Sequence, residues 1–253
     1  MTDELRNATL ATDRSPLEGP LDRAGESKRT RARNAELLAA ALAMIAGFID
    51  AYGMITYGVF VSFMSGNTTQ TGYQTAEGAF GPASLSALAI LFFVVGSFAA
   101  TLLAQVTERR ARSLVYGVVA IALAAIVSWT EFEALPASAA IASISLAMGI
   151  MNNALSRVGA QAVSIAFVTG ALSRLGVSLA LALMRAPLPD SEGPWDTHLR
   201  RAVLLARLWL AFLVGAVASG AATPRYGASV LLAPALILAV LAAFARPERG
   251  AAG

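Results

Sequence analysis

The chain has 253 residues, 57% hydrophobic and 14% charged, with a formal charge of +3 and a mean hydropathy of +0.64. Soluble domains carry about a quarter charged residues, so this composition excludes an ordinary water-soluble fold and points to a polytopic membrane protein. The lack of cysteine excludes disulfides, thiolate metal sites and thiol catalysis, and no basic stretch is interleaved with exposed aromatics, which sets nucleic acid aside as a partner.

Residues 1–34 hold six acids and seven bases with little that is apolar, so the sequence predicts a disordered tail without the apolar core of a cleaved signal peptide. The tail ends in a basic cluster, Lys28 to Arg33. Placed just before a hydrophobic run, that cluster predicts a cytoplasmic N-terminus, and anionic lipid headgroups suit it as well.

A first apolar run follows and contains Asp50 about 15 residues in. A full charge at that depth costs roughly 2.5 to 3.5 kcal/mol on insertion scales. The functional reading is a proton-binding or cation-binding carboxylate facing a cavity. The structural one is a carboxylate paired with an arginine, Arg157 or Arg174 being candidates, or one lying near the interface. Next comes FVSFMSGNTTQTGYQTAEG, residues 60–78. Glycine weakens a helix by about 1 kcal/mol relative to alanine, so Gly66 is the expected break, and Ser65, Asn67 and Thr68 are expected to line a route beside it. Freed backbone groups must face protein or a wet cavity. The competing reading makes residues 66–80 a watery loop, to which Glu77, Gly78, Gly81 and Pro82 are assigned.

Five further runs approach or reach the roughly 20 residues that cross a bilayer as helix: Leu85–Val106, Leu114–Thr130, Leu135–Met151, Ala202–Ala222 and Tyr226–Ala245. Long Ala/Leu runs of this kind argue for helices against a β-barrel. Along them three landmarks recur in one order. GFID (Gly47–Asp50), FMSGN (Phe63–Asn67) and FFVVGSFAAT (Phe92–Thr101) are matched by GIMN (Gly149–Asn152), FVTGA (Phe167–Ala171) and AFLVGAVASG (Ala211–Gly220).

The chain is therefore divided into a tail (1–34), a first membrane repeat (35–131), a second (132–246) and a short cytoplasmic tail (247–253). The expected fold class is all-α: a polytopic membrane helix bundle of two repeats, each with three spanning helices and one glycine-broken or re-entrant segment. If the interrupted segments enter and leave by one side there are six crossings. The basic clusters around residues 28–33, 109–112, 157, 185, 200–201 and 246–249 then all fall in the cytoplasm. Three crossings per repeat would insert the second repeat upside down, the inverted plan of several transporters. Full crossing by both segments gives eight spans and leaves Arg109, Arg110 and Arg112 outside.

In the second repeat Asn152 and Asn153 stand near the place of Asp50, and Thr169 and Gly170 near that of Ser65 and Gly66. They complete a predicted solute or ion pathway, with ordinary interhelical bonding as the equal alternative for the asparagines. Gly96 with Ala100, and Gly215 with Ser219, have the small-xxx-small spacing that lets helix backbones approach, and are assigned to packing. His198 is the only histidine and falls in a loop. No serine–histidine site, metal cluster or phosphate-binding GxxxxGK motif is seen. No catalytic residue, metal or cofactor is expected.

GFIDAYG followed by FVSFMSGNT, with the later AMGIMNNA and FVTGA, resembles the YoaK family of bacterial inner-membrane proteins, which pair a Gly-x-x-Asp segment with a following (Thr/Ser)-Gly-Asn segment. The resemblance covers about residues 37–246. It implies an inner-membrane architecture with Asp50, Gly66 and Asn67 at its characteristic positions and Asn152 and Gly170 at the second-half ones; it implies no activity. The TTQTGYQTAEG continuation is more polar than the family pattern. The expected function is a small secondary transporter or permeation pathway, or alternatively a structural or assembly partner. The expected partners are the lipid bilayer, a small solute or ion, and a second copy of the chain.

Overall fold

The computed structural model describes residues 20–106, 111–132, 135–152, 157–158, 161–162, 168–191 and 193–245. Its helices in chain order are α1 (Pro20–Tyr57), α2 (Met64–Ala76), α3 (Phe80–Val106), α4 (Ala111–Phe132), α5 (Ala137–Asn152), α6 (Val168–Leu183), α7 (His198–Tyr226) and α8 (Leu232–Phe244). A 3-10 turn, Gly227–Leu231, joins the last two. One departure from the all-α expectation is a two-residue antiparallel ladder, β1 (Arg157–Val158) on β2 (Gln161–Ala162). It lies between α5 and α6, where no helix is described.

Length separates two kinds of helix. Ala32–Tyr57, Phe80–Gln105, Ser113–Thr130 and the continuous stretch His198–Phe244 are long and apolar enough to cross a membrane. The 13 residues of α2 rise only about 20 Å, short of the roughly 30 Å hydrocarbon core, and α5 and α6 with 16 residues each and α8 with 13 are also shorter than that core. The protein is a multi-pass membrane protein whose exterior is as greasy as its interior: Val94, Phe98, Ile121, Val217 and Leu236 are exposed. Water would penalise such a surface and lipid does not. Burial is instead reserved for a seam through Leu42, Ile45, Ile49 and Tyr52 of α1, Tyr116 and Leu123 of α4, Met148 and Met151 of α5, and Leu238 of α8.

Because lipid tails are as apolar as leucine, helices associate here through close packing, and glycines set the two tightest crossings. A Cβ on Gly47 would overlap the Phe212 carbonyl of α7, and one on Gly215 would overlap the Met44 carbonyl of α1. The pairing of α3 with α5 repeats this reciprocity: Gly96 faces the Leu146 carbonyl and Gly149 the Phe93 carbonyl. Ser97 Oγ adds a 3.1 Å hydrogen bond to the carbonyl of Gly149. Helices α4 and α8 run antiparallel, with Ser113 Oγ near the start of α4 donating to the Ala242 carbonyl near the end of α8 at 2.6 Å.

Two expectations change. Helix α1 begins at Pro20, so the basic cluster placed in a disordered tail is helical. Alanine, glutamate, lysine and arginine are good helix formers, and extending a packed helix needs no new nucleus. Gly81 and Pro82, assigned to a loop, lie in the first turn of α3, where proline's missing N–H has no intrahelical acceptor to lose.

Candidate functional site

Helix α1 stops at Tyr57 because Gly58 takes a φ of +71°, a conformation open to glycine at no Cβ cost. The chain then turns back along the helix it has just left. Gly53 makes that possible, since a Cβ there would sit 2.9 Å from the Val59 carbonyl oxygen and 2.8 Å from Val61 Cγ1. The returning segment carries amides without helical partners into the bundle, and Asp50, one helical turn before Gly53, meets them. Its Oδ1 accepts from the amides of Val61 and Ser62, both at 2.8 Å. Asp50 is only 4% exposed.

Asn67 closes the same segment from the other side. Its Oδ1 accepts from the Phe60 amide at 3.1 Å and its Nδ2 donates to the Phe60 carbonyl at 2.6 Å, so one side-chain amide replaces the partner strand that Phe60 lacks. Asn67 is fully buried. Residues 60–62 are thus held by a carboxylate from α1 and an amide from α2. Gln70 of α2 reaches back to the Gly58 carbonyl at 3.3 Å and Ser86 of α3 to Gln70 Oε1 at 3.4 Å. After dipping to the level of Asp50, the chain therefore returns through α2 toward the end where α1 stopped.

The break expected at Gly66 lies earlier, between Gly58 and Phe63. Gly66 is helical, and its missing Cβ makes room for the Phe63 and Phe60 rings, which meet edge to face at 5.3 Å. The polarity of α2 is largely turned inward on its own backbone. Thr68, Thr69, Thr71 and Thr75 each donate to the carbonyl four residues back, at 2.8, 3.1, 2.8 and 2.6 Å, a pattern that lets hydroxyls sit in a helix without water. Helix α2 is therefore no loop, although Ser65 and Thr68 are exposed.

Asp50 and Asn67 hold one segment, residues 60–62, from two sides, and Ser65, Gly66 and Thr68 adjoin Asn67 on α2. Asn152 is half-buried at the end of α5, and Thr169 and Gly170 open α6, exposed and half-buried respectively. Asn153 lies outside the described residues, as does the Arg157 side chain. Arg174 is exposed on α6, and among the described residues the partners of Asp50 are backbone amides. Gly96, Ala100, Gly215 and Ser219 are all buried, with Ser219 Oγ 3.3 Å from Thr223 Oγ1. His198 lies beside the Pro187 carbonyl, at 3.4 Å.

Sequence reading missed Gly53, Gly58 and the amides of residues 60–62. A signal was available: Gly53 and Asp50 fall one turn apart on one helix face, and a glycine-ended helix followed by alternating Val-Phe-Val suggests a strand returning beside it. It also missed a polar cluster where the apolar span of α1 meets the start of α7. Glu36 pairs with Arg200, Arg200 stacks on Trp195 with 4.3 Å to the ring centroid, and Arg201 binds Asp196 at 2.7 Å and Asp190 at 3.1 Å.

The DUF1275 family, described as a protein of unknown function, matches residues 38–244. The UPF0700 transmembrane protein RA0705 of Rhizobium meliloti (strain 1021) is 30% identical over 226 residues, 88% of this chain and 92% of that protein. No solved structure matches. A family match that runs from the first turns of the α1 span to the end of α8, joined to a transmembrane relative of nearly the same extent, places this chain in the DUF1275 family of membrane proteins.

Proposed function

We propose that the chain is a six-crossing, inverted-repeat protein of the bacterial inner membrane that works as a small secondary transporter or permeation pathway for a solute or ion. Several observations support the architecture. The Gly47/Gly215 and Gly149/Gly96 crossings pair the first long helix of each proposed repeat with the third segment of the other, and the matched carbonyls stand three residues before each glycine in all four cases. The hydrogen bonds of Asp50 and Gln70 favour a re-entrant course for residues 58–76. With α2 re-entrant, residues 28–33 and 200–201 share one side, and the N-terminus is cytoplasmic by the positive-inside rule.

The observation that carries the transport reading is Asp50: a buried carboxylate whose described partners are the backbone amides of a chain folded back into the membrane. Charge-assisted hydrogen bonds are roughly twice as strong as neutral ones. Binding a proton at Asp50 would weaken its hold on Val61 and Ser62 and loosen the re-entrant segment, coupling proton occupancy to opening. Ser65 and Thr68, with Asn152, Asn153, Thr169 and Gly170 of the second repeat, are the proposed route. The role is non-enzymatic, and a second copy of the chain is a proposed partner.

Reconstituted liposomes with an internal pH dye and an imposed potential test this. Wild type is expected to carry proton-coupled or ion-coupled flux with some member of a panel of ions, amino acids and sugars, and Asp50→Asn to lose it. No flux across the panel, or flux unchanged in Asp50→Asn, overturns the reading. The cysteine-free sequence also permits single-cysteine labelling: six crossings place Glu77 and Arg225 on one side and Met184 on the other.

One observation favours a second reading, a structural or assembly partner without transport. Asn67 and four threonines of α2 are satisfied locally, as a rigid element requires. On this reading Asp50→Asn changes stability alone, and a partner co-purifies.

A further inference from the structure

Around the start of the α1 span and the first turns of α7 lies an open cavity of about 390 Å³ lined by Arg29, Thr30, Arg33, Glu36, Arg200 and Arg207. Four guanidinium groups face one carboxylate, so the cavity carries an excess of positive charge. Arg29 and Arg33 lie four residues apart on α1, and Arg200 and Arg207 seven apart on α7, so each pair occupies one helix face. Glu36 is engaged by Arg200 and Arg200 is braced on Trp195, which fixes one wall of the cavity.

Arg207 is the unusual member. It lies about two turns, roughly 10 Å, beyond Arg200, inside the stretch apolar enough to span the membrane, yet it is exposed. An exposed arginine at that depth is costly unless its long stem carries the charge back to the surface and finds an anion there. The faces that bear the arginines continue as apolar ones. Leu37, one turn after Arg33, is 63% exposed, and Val203, Leu210 and Val214 extend the Arg200–Arg207 face. Acyl chains of a lipid held by its headgroup would lie along that continuation.

We propose that this cavity binds the phosphodiester headgroup of an anionic phospholipid, with the acyl chains lying over Leu37, Val203, Leu210 and Val214. Arginine suits the task because its planar fork matches phosphate oxygens in pairs, and basic pockets between spanning helices at the cytoplasmic surface are a recurrent headgroup site. The lipid would pin the start of the α1 span to the first turns of α7 above the Gly47/Gly215 crossing. This inference is independent of the transport reading and needs only that the chain lies in a bilayer.

The test uses the full-length protein in detergent, titrated with fluorescent phosphatidylglycerol and, separately, fluorescent phosphatidylcholine. Wild type is expected to prefer phosphatidylglycerol by about tenfold or more, each arginine near the surface contributing about fivefold. Arg33→Gln and Arg207→Gln should each lower phosphatidylglycerol affinity by about fivefold and leave phosphatidylcholine unaffected, while Arg225→Gln, at the opposite end of α7, changes neither. Arg33 lies on an exposed face near the start of the α1 span, so its variant guards against misfolding of Arg207→Gln. The proposal is overturned if the two lipids bind equally, if Arg225→Gln matches Arg33→Gln, or if millimolar inorganic phosphate displaces the lipid, which would mark a site for a soluble anion.

Discussion

The α1/α7 crossing and the α3/α5 crossing use the same device and differ in what surrounds it. At each, two glycines bring backbones together so that each faces a carbonyl of the other helix. One turn beyond the glycine, however, α1 carries Asp50, locked onto a returning segment, whereas α5 carries Asn152 at its last residue. The α3/α5 crossing gains a Ser97 hydrogen bond to Gly149, where α7 has Ala216 next to its glycine. Close approach is thus common to both crossings, and the buried carboxylate belongs to one. Packing explains the glycines; only the returning segment explains the acid.

The comparison breaks first at the glycines. Gly47→Val and Gly149→Val each force side-chain atoms into a facing backbone carbonyl, and each is expected to cost more than about 4 kcal/mol. Loss of the monodisperse peak in size-exclusion chromatography checks this, and a tolerated variant at one crossing alone would show that the two are not equivalent. Asp50→Ala comes next. It strands two buried amides, at about 1 to 3 kcal/mol each, whereas Asp50→Asn keeps an acceptor and should retain most of the lost thermal stability. Equal melting temperatures for the two variants would mean that the amides find other partners. The corresponding Asn152→Ala is expected to lower stability less than Asp50→Ala does, in the same melting assay.

Asn67→Ala follows at about 2 kcal/mol, since it frees both polar groups of Phe60. Asn67→Asp should recover only the bond to the Phe60 amide. Ser97→Ala is worth about 1 kcal/mol and would bring the α3/α5 crossing closer to its α1/α7 counterpart. The smallest effects are expected at Thr68→Val and Thr69→Val, within about 0.5 kcal/mol, because each removes only a bond to its own helix. A large loss at either would mean that these exposed hydroxyls have partners outside α2.

Much of this was legible in sequence for a physical reason. Lipid demands that backbone polar groups be satisfied within the segment, so spanning helices announce themselves as apolar runs, and α3, α4, α5 and α7 fall on the runs expected, whereas the run Tyr226–Ala245 is divided among the end of α7, a 3-10 turn and α8. Asp50 stood out because charge is expensive in such a run, and Asn67 because it followed a glycine in polar company. Gly66 misled for an instructive reason. Glycine marks either a break or a close approach, and the choice depends on the Phe60 and Phe63 rings, which sequence does not place. Of the cavity's arginines, Arg29, Arg33 and Arg200 read as topogenic charge and Arg207 passed unremarked, because α1 and α7 are far apart along the chain and become neighbours only in the bundle.

The sequence by itself determined that the chain is a helical membrane protein, where its long helices run and which residues are too polar for their surroundings, because bilayer thickness and the cost of bare polar groups act locally. Tertiary structure alone decided that the segment after Gly58 returns to Asp50, that Asn67 clips Phe60, and that Gly47 meets Phe212 and Gly149 meets Phe93. Those partners are chosen by shape and by unsatisfied backbone groups meeting in three dimensions, and neither leaves a periodic mark along the chain.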